Sequence, residues 1–312
     1  METQNRTKGL INAMISSCSF GLIPLFSVPV MAKGIETPTV LIYRFIFGAL
    51  FILAGMMYMR IDLKINLSQL GRIAVLALLN DITALSMVYG YNFMPSGAAC
   101  TIQFSYPIFT CLLMMIFFRE RLTLRTAIAI VLAIVGVAAL SGIDMSGEGS
   151  MGNTVWIGVM LELTAGLSYA IYLVLVPVLN VGKMNCLKLT FYVFIMGSIF
   201  LLIFTPFTPK GIQLVTDGKL VGLLLLLGLV PTAVSNFTLI VGLKNIGSTL
   251  TSILGALEPL VAMVVGVLVF SEPFTIITFG GLVCIIAAVI ILVLSEVKEP
   301  CKEADLPCNQ PR

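Results

Sequence analysis

The sequence predicts an all-α integral membrane protein with ten transmembrane helices arranged as two inverted five-helix repeats. Composition predicts the membrane, because 59% of the 312 residues are hydrophobic and only 11% are charged, against about 45–50% and 25% in soluble domains. A weak internal similarity at an offset of 152 residues predicts the repeat. Since one span takes about 20 residues, ten spans leave no room for a large soluble catalytic domain.

Cutting the chain at clusters of charged residues, Gly and Pro leaves ten apolar stretches. The first continues through Gly21, Pro24 and Pro29 without a small-residue cleavage site, which favours a retained, Pro-kinked span over a signal peptide. The predicted spans are residues 9–32, 38–59, 71–92, 98–118, 125–142, 153–176, 188–205, 219–243, 247–270 and 276–295.

The distribution of basic residues predicts the orientation. Of the 18 Lys and Arg residues, fourteen fall on the termini and loops that are inside if the N-terminus is cytoplasmic, and three fall on the outer loops. Because inner loops of membrane proteins carry the excess of basic residues, we expect a multi-pass protein of the plasma (inner) membrane with both termini cytoplasmic. The loop at 143–152 is then external.

The repeat is visible where YPIFTCLLMMIFFRERLT, from Tyr106, is set against EPLVAMVVGVLVFSEPFT, from Glu258. Five spans in each half is an odd number, so the second half is inverted relative to the first, as in many secondary transporters. The alternative is that duplication only built a large helical bundle. We divide the chain into a first repeat (1–145), a second repeat (146–297) and a polar cytoplasmic tail (298–312). Identical pairs are Pro107 and Pro259, Phe118 and Phe270, Glu120 and Glu272, and Thr123 and Thr275.

Three segments resemble the EamA-type branch of the drug/metabolite transporter superfamily. They are GSTLTSILGALEPLVAMVVGVLVFSEPFT, its first-half partner SGAACTIQFSYPIFTCLLMMIFFRERLT, and PTVLIYRFIFGAL with Arg44. The resemblance covers about residues 8–296. Two departures are Tyr106, where the second half has Glu258, and the absence of a lysine near the end of the first span. The resemblance implies a ten-helix exporter of small metabolites or amino acids, with a cavity built by the first four helices of each half.

Four ionisable residues lie well inside predicted spans, and a charge at a helix centre costs about 2.5–3.5 kcal/mol on insertion scales. We therefore expect them to face the protein interior. If all four were ionised, the interior would carry an excess of two negative charges, so either a cationic substrate enters or one or two carboxyl groups hold a proton. For Arg44 the sequence leaves open an internal ion pair or snorkelling to the outer headgroups. The four are Arg44, Asp81, Glu162 and Glu258.

Glu258 is the first candidate for a carboxylate that exchanges a proton during transport. Its neighbour Pro259 cannot donate to the carbonyl of Gly255, which predicts a kink beside the acid, and Pro107 does the same for Gln103. The alternative is a structurally paired acid beside an ordinary proline kink.

Amides, tyrosines and carboxylates on these spans suit a small zwitterionic or amphipathic solute. Glu162 and Tyr169 share one helix face at spacing i, i+7. For any single tyrosine the alternative is packing or an interfacial position. The predicted substrate-binding residues are Asn80, Asp81, Tyr89, Gln103, Tyr106, Glu162, Tyr169, Asn236 and Glu258, with coupling or structural roles for Arg44, Pro107, Pro259 and Glu258.

Other functions find little support in the sequence. It has no histidine, no GxxxxGK[ST] motif and no basic run, so we expect no enzyme activity, cofactor, metal or nucleic-acid partner. A passive channel or facilitator is the alternative to a transporter, and an intramembrane enzyme is favoured least. The expected partners are a small-molecule substrate, the lipid bilayer and protons. Small residues on the fifth and tenth spans favour packing within a monomer over a homodimer seam.

Overall fold

The computed structural model describes residues 2–90, 92–93, 99, 102–118, 124–140, 155–179 and 184–269, together with 276, 279–281, 283–284, 286–288 and 290–291. Within these ranges every regular element is helical. The loop at 143–152, the hairpins with Glu120 and Glu272, and the tail 298–312 lie outside the described residues.

Eleven α-helices run through the described residues. Side-chain caps begin two of them: Asn185 accepts a hydrogen bond from the backbone N–H of Leu187, and Asp217 accepts one from that of Lys219, which satisfies free N–H groups at the helix start. The helices are α1 (Glu2–Phe20), α2 (Ile23–Met31), α3 (Thr37–Tyr58), α4 (Leu67–Gly90), α5 (Tyr106–Phe118), α6 (Leu124–Leu140), α7 (Val155–Val178), α8 (Cys186–Phe204), α9 (Gly218–Gly228), α10 (Ser235–Leu254) and α11 (Leu257–Val269). A 3₁₀ turn (Thr205–Phe207) follows α8, and a π-helical turn (Leu229–Val234) joins α9 to α10.

Six helical stretches among the described residues are long and apolar enough to cross a membrane. Shorter apolar helices such as Tyr106–Phe118 and Leu257–Val269 fall in other predicted spans. The protein is therefore a multi-pass, all-helical membrane protein, while the count of ten helices and the inverted repeat stay predictions. The six stretches are Asn5–Met31, Thr37–Tyr58, Leu67–Gly90, Trp156–Val178, Cys186–Phe207 and Gly218–Leu254.

The helix surfaces also fit a lipid environment. Large apolar side chains such as Phe117 and Leu268 are 70% and 76% exposed, an arrangement that is unfavourable in water but suited to hydrocarbon. The interior is packed by side chains from both halves; for example, the rings of Phe45 on α3 and Phe194 on α8 stack with centroids 5.6 Å apart.

Several of the long helical stretches are interrupted. The first breaks at Gly21 and Leu22, between α1 and α2, which agrees with the predicted kink in this span. The π-helical turn contains Pro231, which cannot donate a backbone hydrogen bond. Within α10, Gly247 has a φ of 78° and separates two helical segments, and this conformation is open to glycine far more than to other residues. The predicted eighth and ninth spans thus meet at one residue.

Helices that are distant in the sequence pack against each other. The helix α1 packs along α10, and α4 packs against both α7 and α8. The helix α3 packs against α8, α9 and the π-helical turn, and α5 packs against α7. These contacts bring the interrupted segments of the chain together in the middle of the molecule.

Candidate functional site

A narrow cleft lies where three helix interruptions meet. It is lined by Phe20, Gly21 and Pro24 from the first break, by Gln103 and Tyr106 on the two sides of the turn before α5, and by Glu258 and Pro259 at the start of α11. Non-helical backbone at membrane depth is tolerated where it is buried in protein or lines a cavity. Such discontinuous helices are typical of the substrate sites of transporters.

The break before α11 leaves backbone groups available near Glu258. Gly255 and Ala256 form a turn between α10 and α11, and the N–H of Glu258 donates to the carbonyl of Gly255 at 2.9 Å, a tighter contact than that of a regular α-helix. Pro259 brings no N–H to this turn. The acid therefore stands at the first turn of a new helix, and its side chain is half-buried at the cleft.

The break before α5 is placed in a similar way. Phe104 and Ser105 form a turn, and the N–H of Ser105 donates to the carbonyl of Ile102 at 3.0 Å. The hydroxyl of Tyr106 reaches across to the other break, where a methyl group added to Gly255 would overlap with it. The two residues matched by the offset of 152, Tyr106 and Glu258, thus border the same cleft.

A chain of aromatic rings forms one wall of the site. Tyr106 contacts Phe104 at 5.5 Å and Tyr169 at 4.9 Å between ring centroids, both edge to face. Tyr169 in turn lies 6.2 Å from Phe20 and 6.3 Å from Tyr172. These rings offer a rigid apolar surface beside a carboxylate, which suits the apolar part of an amphipathic solute.

Arg44 supplies the positive charge of the site. It is 3% exposed; its Nε donates to Thr232 Oγ1 at 2.7 Å and its Nη2 to the carbonyl of Pro231 at 3.4 Å. Its guanidinium lies 5.5 Å from the centroid of Phe20, within the range of a cation–π contact. The inward hydrogen bonds contradict the snorkelling alternative.

The charge of Arg44 acts electrostatically on Glu258 and on Tyr169. A pairing of Arg44 with Glu162 does not occur, because Oε1 and Oε2 of Glu162 have no hydrogen-bond partner in the described part of the chain. The site therefore combines one cation, one half-buried carboxylate and several rings.

Other predicted site residues lie elsewhere. Asp81 and Glu162 are buried between packed helices and are not among the residues that line the cleft. Asn236 is buried, and its Nδ2 donates to the carbonyl of Thr232 at 2.9 Å, so it braces the π-helical turn beside Arg44. Asn80 and Tyr89 are half-buried on α4 outside the cleft lining.

Sequence reasoning missed several apolar members of the site. Phe20, Phe104 and Met87 line the cleft or its rings, and Thr232 holds Arg44. Apolar residues in apolar spans carry no distinguishing signal; the one available signal was the Gly21–Pro24 interruption. Among the searched residues, no group of three or more His, Cys, Asp or Glu side chains could hold a metal ion.

Comparison with protein families matches the sequence to a transporter group. The family model of the EamA-like transporter family matches residues 7–142 and again residues 156–294. Together the two matches cover most of the chain.

Individual relatives carry the same general description. A protein of Archaeoglobus fulgidus named an uncharacterized transporter is 29% identical over 205 residues, covering 65% of this chain and 70% of its own. A second from the same organism is 27% identical over 283 residues, covering 89% and 93%. The uncharacterized transporter YetK of Bacillus subtilis is 23% identical over 223 residues, covering 70% and 65%.

A solved crystal structure shares the fold. It aligns with a TM-score of 0.77 at 13% sequence identity, and the alignment covers 94% of this chain and all of the other one. At this identity the likeness concerns the fold alone.

Proposed function

Because the chain belongs to the EamA-like transporter family, we propose that it is a secondary active transporter that exports a small metabolite, such as an amino acid, by alternating access. The observation that carries this proposal is the cleft between interrupted helices, which is lined by Glu258 and Tyr106 and has the buried Arg44 against its Phe20. Charges at such a position are unfavourable in lipid and mark substrate or ion pathways.

The proposal includes ten spans in two inverted repeats, residues 1–145 and 146–297, with both termini on the cytoplasmic side of the plasma (inner) membrane. Two observations support the repeat: the family model matches each half separately, and the helix breaks before α5 and before α11 fall at nearly matching positions. Single cysteines at Asn66 and Gly147 of a cysteine-free chain test the orientation. We expect an impermeant thiol reagent to label only Gly147→Cys in intact cells, and the reverse pattern would contradict it.

In this proposal the site contacts both polar ends of the substrate and its apolar part. Glu258 receives an ammonium group at one end, and Gln103 and Tyr106 offer polar contacts to the other. Tyr169 covers the apolar surface of the substrate. Arg44 balances the charge of Glu258 and holds the wall through Thr232. A proton that occupies Glu258 when the substrate has left would couple export to the proton gradient.

Proteoliposomes test the function and the coupling together. We expect at least one member of a panel of labelled amino acids and organic cations to accumulate against its gradient when a pH gradient is imposed. Glu258→Gln should keep exchange and lose this uphill accumulation, because the amide copies the protonated acid.

Asp62→Asn is the matched control, since Asp62 is an exposed loop residue whose Oδ1 accepts from the N–H of Lys64 and an amide can do the same. If the flux of every solute stopped once its concentrations on the two sides were equal, the protein would be a passive channel and not an active transporter. Unchanged proton-driven accumulation in Glu258→Gln would remove the coupling role from this residue.

A further inference from the structure

Two carboxyl groups inside the molecule lie outside the cleft and are sealed from solvent. Asp81 on α4 is 3% exposed and Glu162 on α7 is 0% exposed. None of their four carboxyl oxygens has a hydrogen-bond partner in the part of the chain that the structure describes. Glu258, in contrast, is half-buried and lines the cleft.

Each of the two groups faces a glycine of a neighbouring helix. The carboxyl of Asp81 lies against Gly197 on α8, and that of Glu162 lies against Gly90 on α4; a methyl group at either glycine would overlap with a carboxyl oxygen. Such a contact offers aliphatic hydrogens only, because the backbone N–H groups within a helix are already engaged. Room for each carboxyl group therefore exists only because the helix opposite carries no side chain there.

No cation in the described part of the chain hydrogen-bonds to either group. The described cations of these helices and of those packed against them donate elsewhere: Arg72 on α4 to the carbonyl of Leu179, Arg44 on α3 to Thr232, Lys188 on α8 to the carbonyl of Lys64, and Lys244 on α10 to that of Met184. Among the tyrosines on these helices, Tyr106 and Tyr169 belong to the aromatic chain, and Tyr192 on α8 donates to the carbonyl of Leu63. Tyr89, on α4 itself, does not hydrogen-bond to either carboxyl among the described contacts.

An ionised carboxylate without donors is far more costly to bury than a neutral one. In the packing seen here both groups must therefore carry their protons. Ionisation requires water or a donor, and separation of α4 from α7 or from α8 would admit either to these atoms. Protonation of the two carboxyl groups and packing of α4 against α7 and α8 are thus coupled in one equilibrium, whose other state has ionised groups and separated helices.

The helices concerned come from different halves, since α4 lies in the first proposed repeat and α7 and α8 lie in the second. Alternating access moves such halves against each other. We infer that Asp81 and Glu162 are two proton-binding sites whose protons close the seam of α4 with α7 and α8, and whose release accompanies the opposite conformation. This assignment, in place of the substrate contacts expected from the sequence, rests on the proposed function and extends it to protons bound away from the substrate.

The protons themselves are measured without any substrate. In the infrared spectrum of the purified protein near neutral pH, we expect a C=O stretching band of buried carboxylic acid in the difference between wild type and Asp81→Asn, and a second in that between wild type and Glu162→Gln. Both amides copy the protonated acid in size, so the fold should survive. Asp62→Asn, at an exposed position, should show no such difference.

Helix packing is measured by a cysteine pair across the same seam. The hydroxyls of Thr83 on α4 and Ser168 on α7 lie 3.0 Å apart, so Thr83→Cys with Ser168→Cys, in a chain whose native cysteines are replaced, should form a cross-link. With Asp81 and Glu162 present, we expect the yield to fall several-fold as the pH rises through the range in which the infrared bands disappear. In the Asp81→Asn, Glu162→Gln background it should not fall in that range, and comparison at each pH cancels the titration of the thiols themselves.

Absence of the two infrared differences, or equal cross-linking in both backgrounds at every pH, would overturn the inference. Neither measurement involves transport. A protein that moves no solute in proteoliposomes but shows both effects would instead contradict the proposed function alone.

Discussion

Two of the seams between the proposed halves differ in their chemistry: the contact of α1 with α10, and the contact of α4 with α7 and α8. Along α1 and α10, Ser16 Oγ donates to the carbonyl of Ser235 at 2.9 Å, and Ser235 Oγ donates to that of Ser16 at 3.1 Å. Along α4, the hydroxyls of Thr83 and Ser168 pair, but two carboxyl groups beside them remain without donors. In the first seam these serines are hydrogen-bonded to each other, whereas the second seam is stable only while its two carboxyl groups are protonated.

The difference teaches which contacts can move. Small residues bring α1 and α10 close, since a methyl group at Gly9 would come within 2.7 Å of Asn245 Cβ, and Gly242 faces Ala13. Close backbone packing with reciprocal hydrogen bonds resists separation in a membrane. We therefore expect α1 to separate from α10 less readily than α4 separates from α7 and α8. Four substitutions test this contrast.

The largest effect should come from Arg44, whose hydrogen bonds connect α3 to the π-helical turn that precedes α10. Arg44→Ala removes the donors to Thr232 Oγ1 and to the carbonyl of Pro231. A buried acceptor that loses its partner costs about 1–3 kcal/mol, and here there are two. The yield of folded protein in detergent should fall sharply; full yield with a pure loss of affinity would place Arg44 in the binding site instead.

Gly9→Ala should destabilise the seam of α1 with α10 by about 1–3 kcal/mol, as overpacking does. Its methyl group meets Asn245 Cβ, which is fixed to the backbone, and Ile246 Cγ2, which belongs to a β-branched side chain with few allowed rotamers. Gly71→Ala on α4 is the matched control, because nothing lies within 4 Å of its added methyl group. A melting temperature equal to that of Gly71→Ala would show that this seam is loose.

Gly90→Ala should cost less, about 1–2 kcal/mol, because its methyl group meets the end of a flexible side chain, Glu162. Glu162→Ala in the same chain removes the clash, so the double variant should be more stable than the sum of the single effects predicts. Thermal unfolding of the four members of this cycle gives the coupling. Additive effects would mean that Glu162 does not lie against Gly90.

Ser235→Ala should have the smallest effect, about 1 kcal/mol or less, the usual value for a hydrogen bond between membrane helices. It removes the hydroxyl that donates to Ser16 but keeps the carbonyl that accepts from it. Thr164→Ala is the control, since this exposed hydroxyl bonds only within its own helix, to Met160. Equal melting curves for the two variants would show that the reciprocal pair adds nothing to the seam.

The sequence predicted two of the helix interruptions at the candidate cleft from its prolines. Pro259 removes a backbone donor wherever the chain goes, so an interruption beside Glu258 was predictable, and the repeat placed Tyr106 at the matching position. The choice for Arg44 between interior and headgroups was not predictable, because its depth fits both; Thr232, which decides it, is distant in the chain.

Glu162 shows why a shared helix face was insufficient. Glu162 and Tyr169 do lie on one side of α7, but seven residues at about 1.5 Å each separate them by roughly 10 Å along the axis. Over that distance the neighbour changes from Tyr106 to Gly90. Periodicity gives the direction of a side chain, and only the packed structure shows which glycine stands opposite.

Gly247 has a consequence for how sequence change is tolerated in this protein. Ordinary connections between helices absorb inserted residues, but here one residue, at φ 78° and ψ 175°, forms the whole joint between two helical segments. This backbone region is essentially restricted to glycine, and other residues pay about 1–3 kcal/mol of strain there. An insertion at the joint would rotate one helical segment against the next, since each residue turns a helix by about 100°. Tags and reporter sequences therefore belong in the loops, and relatives that differ in length should differ elsewhere.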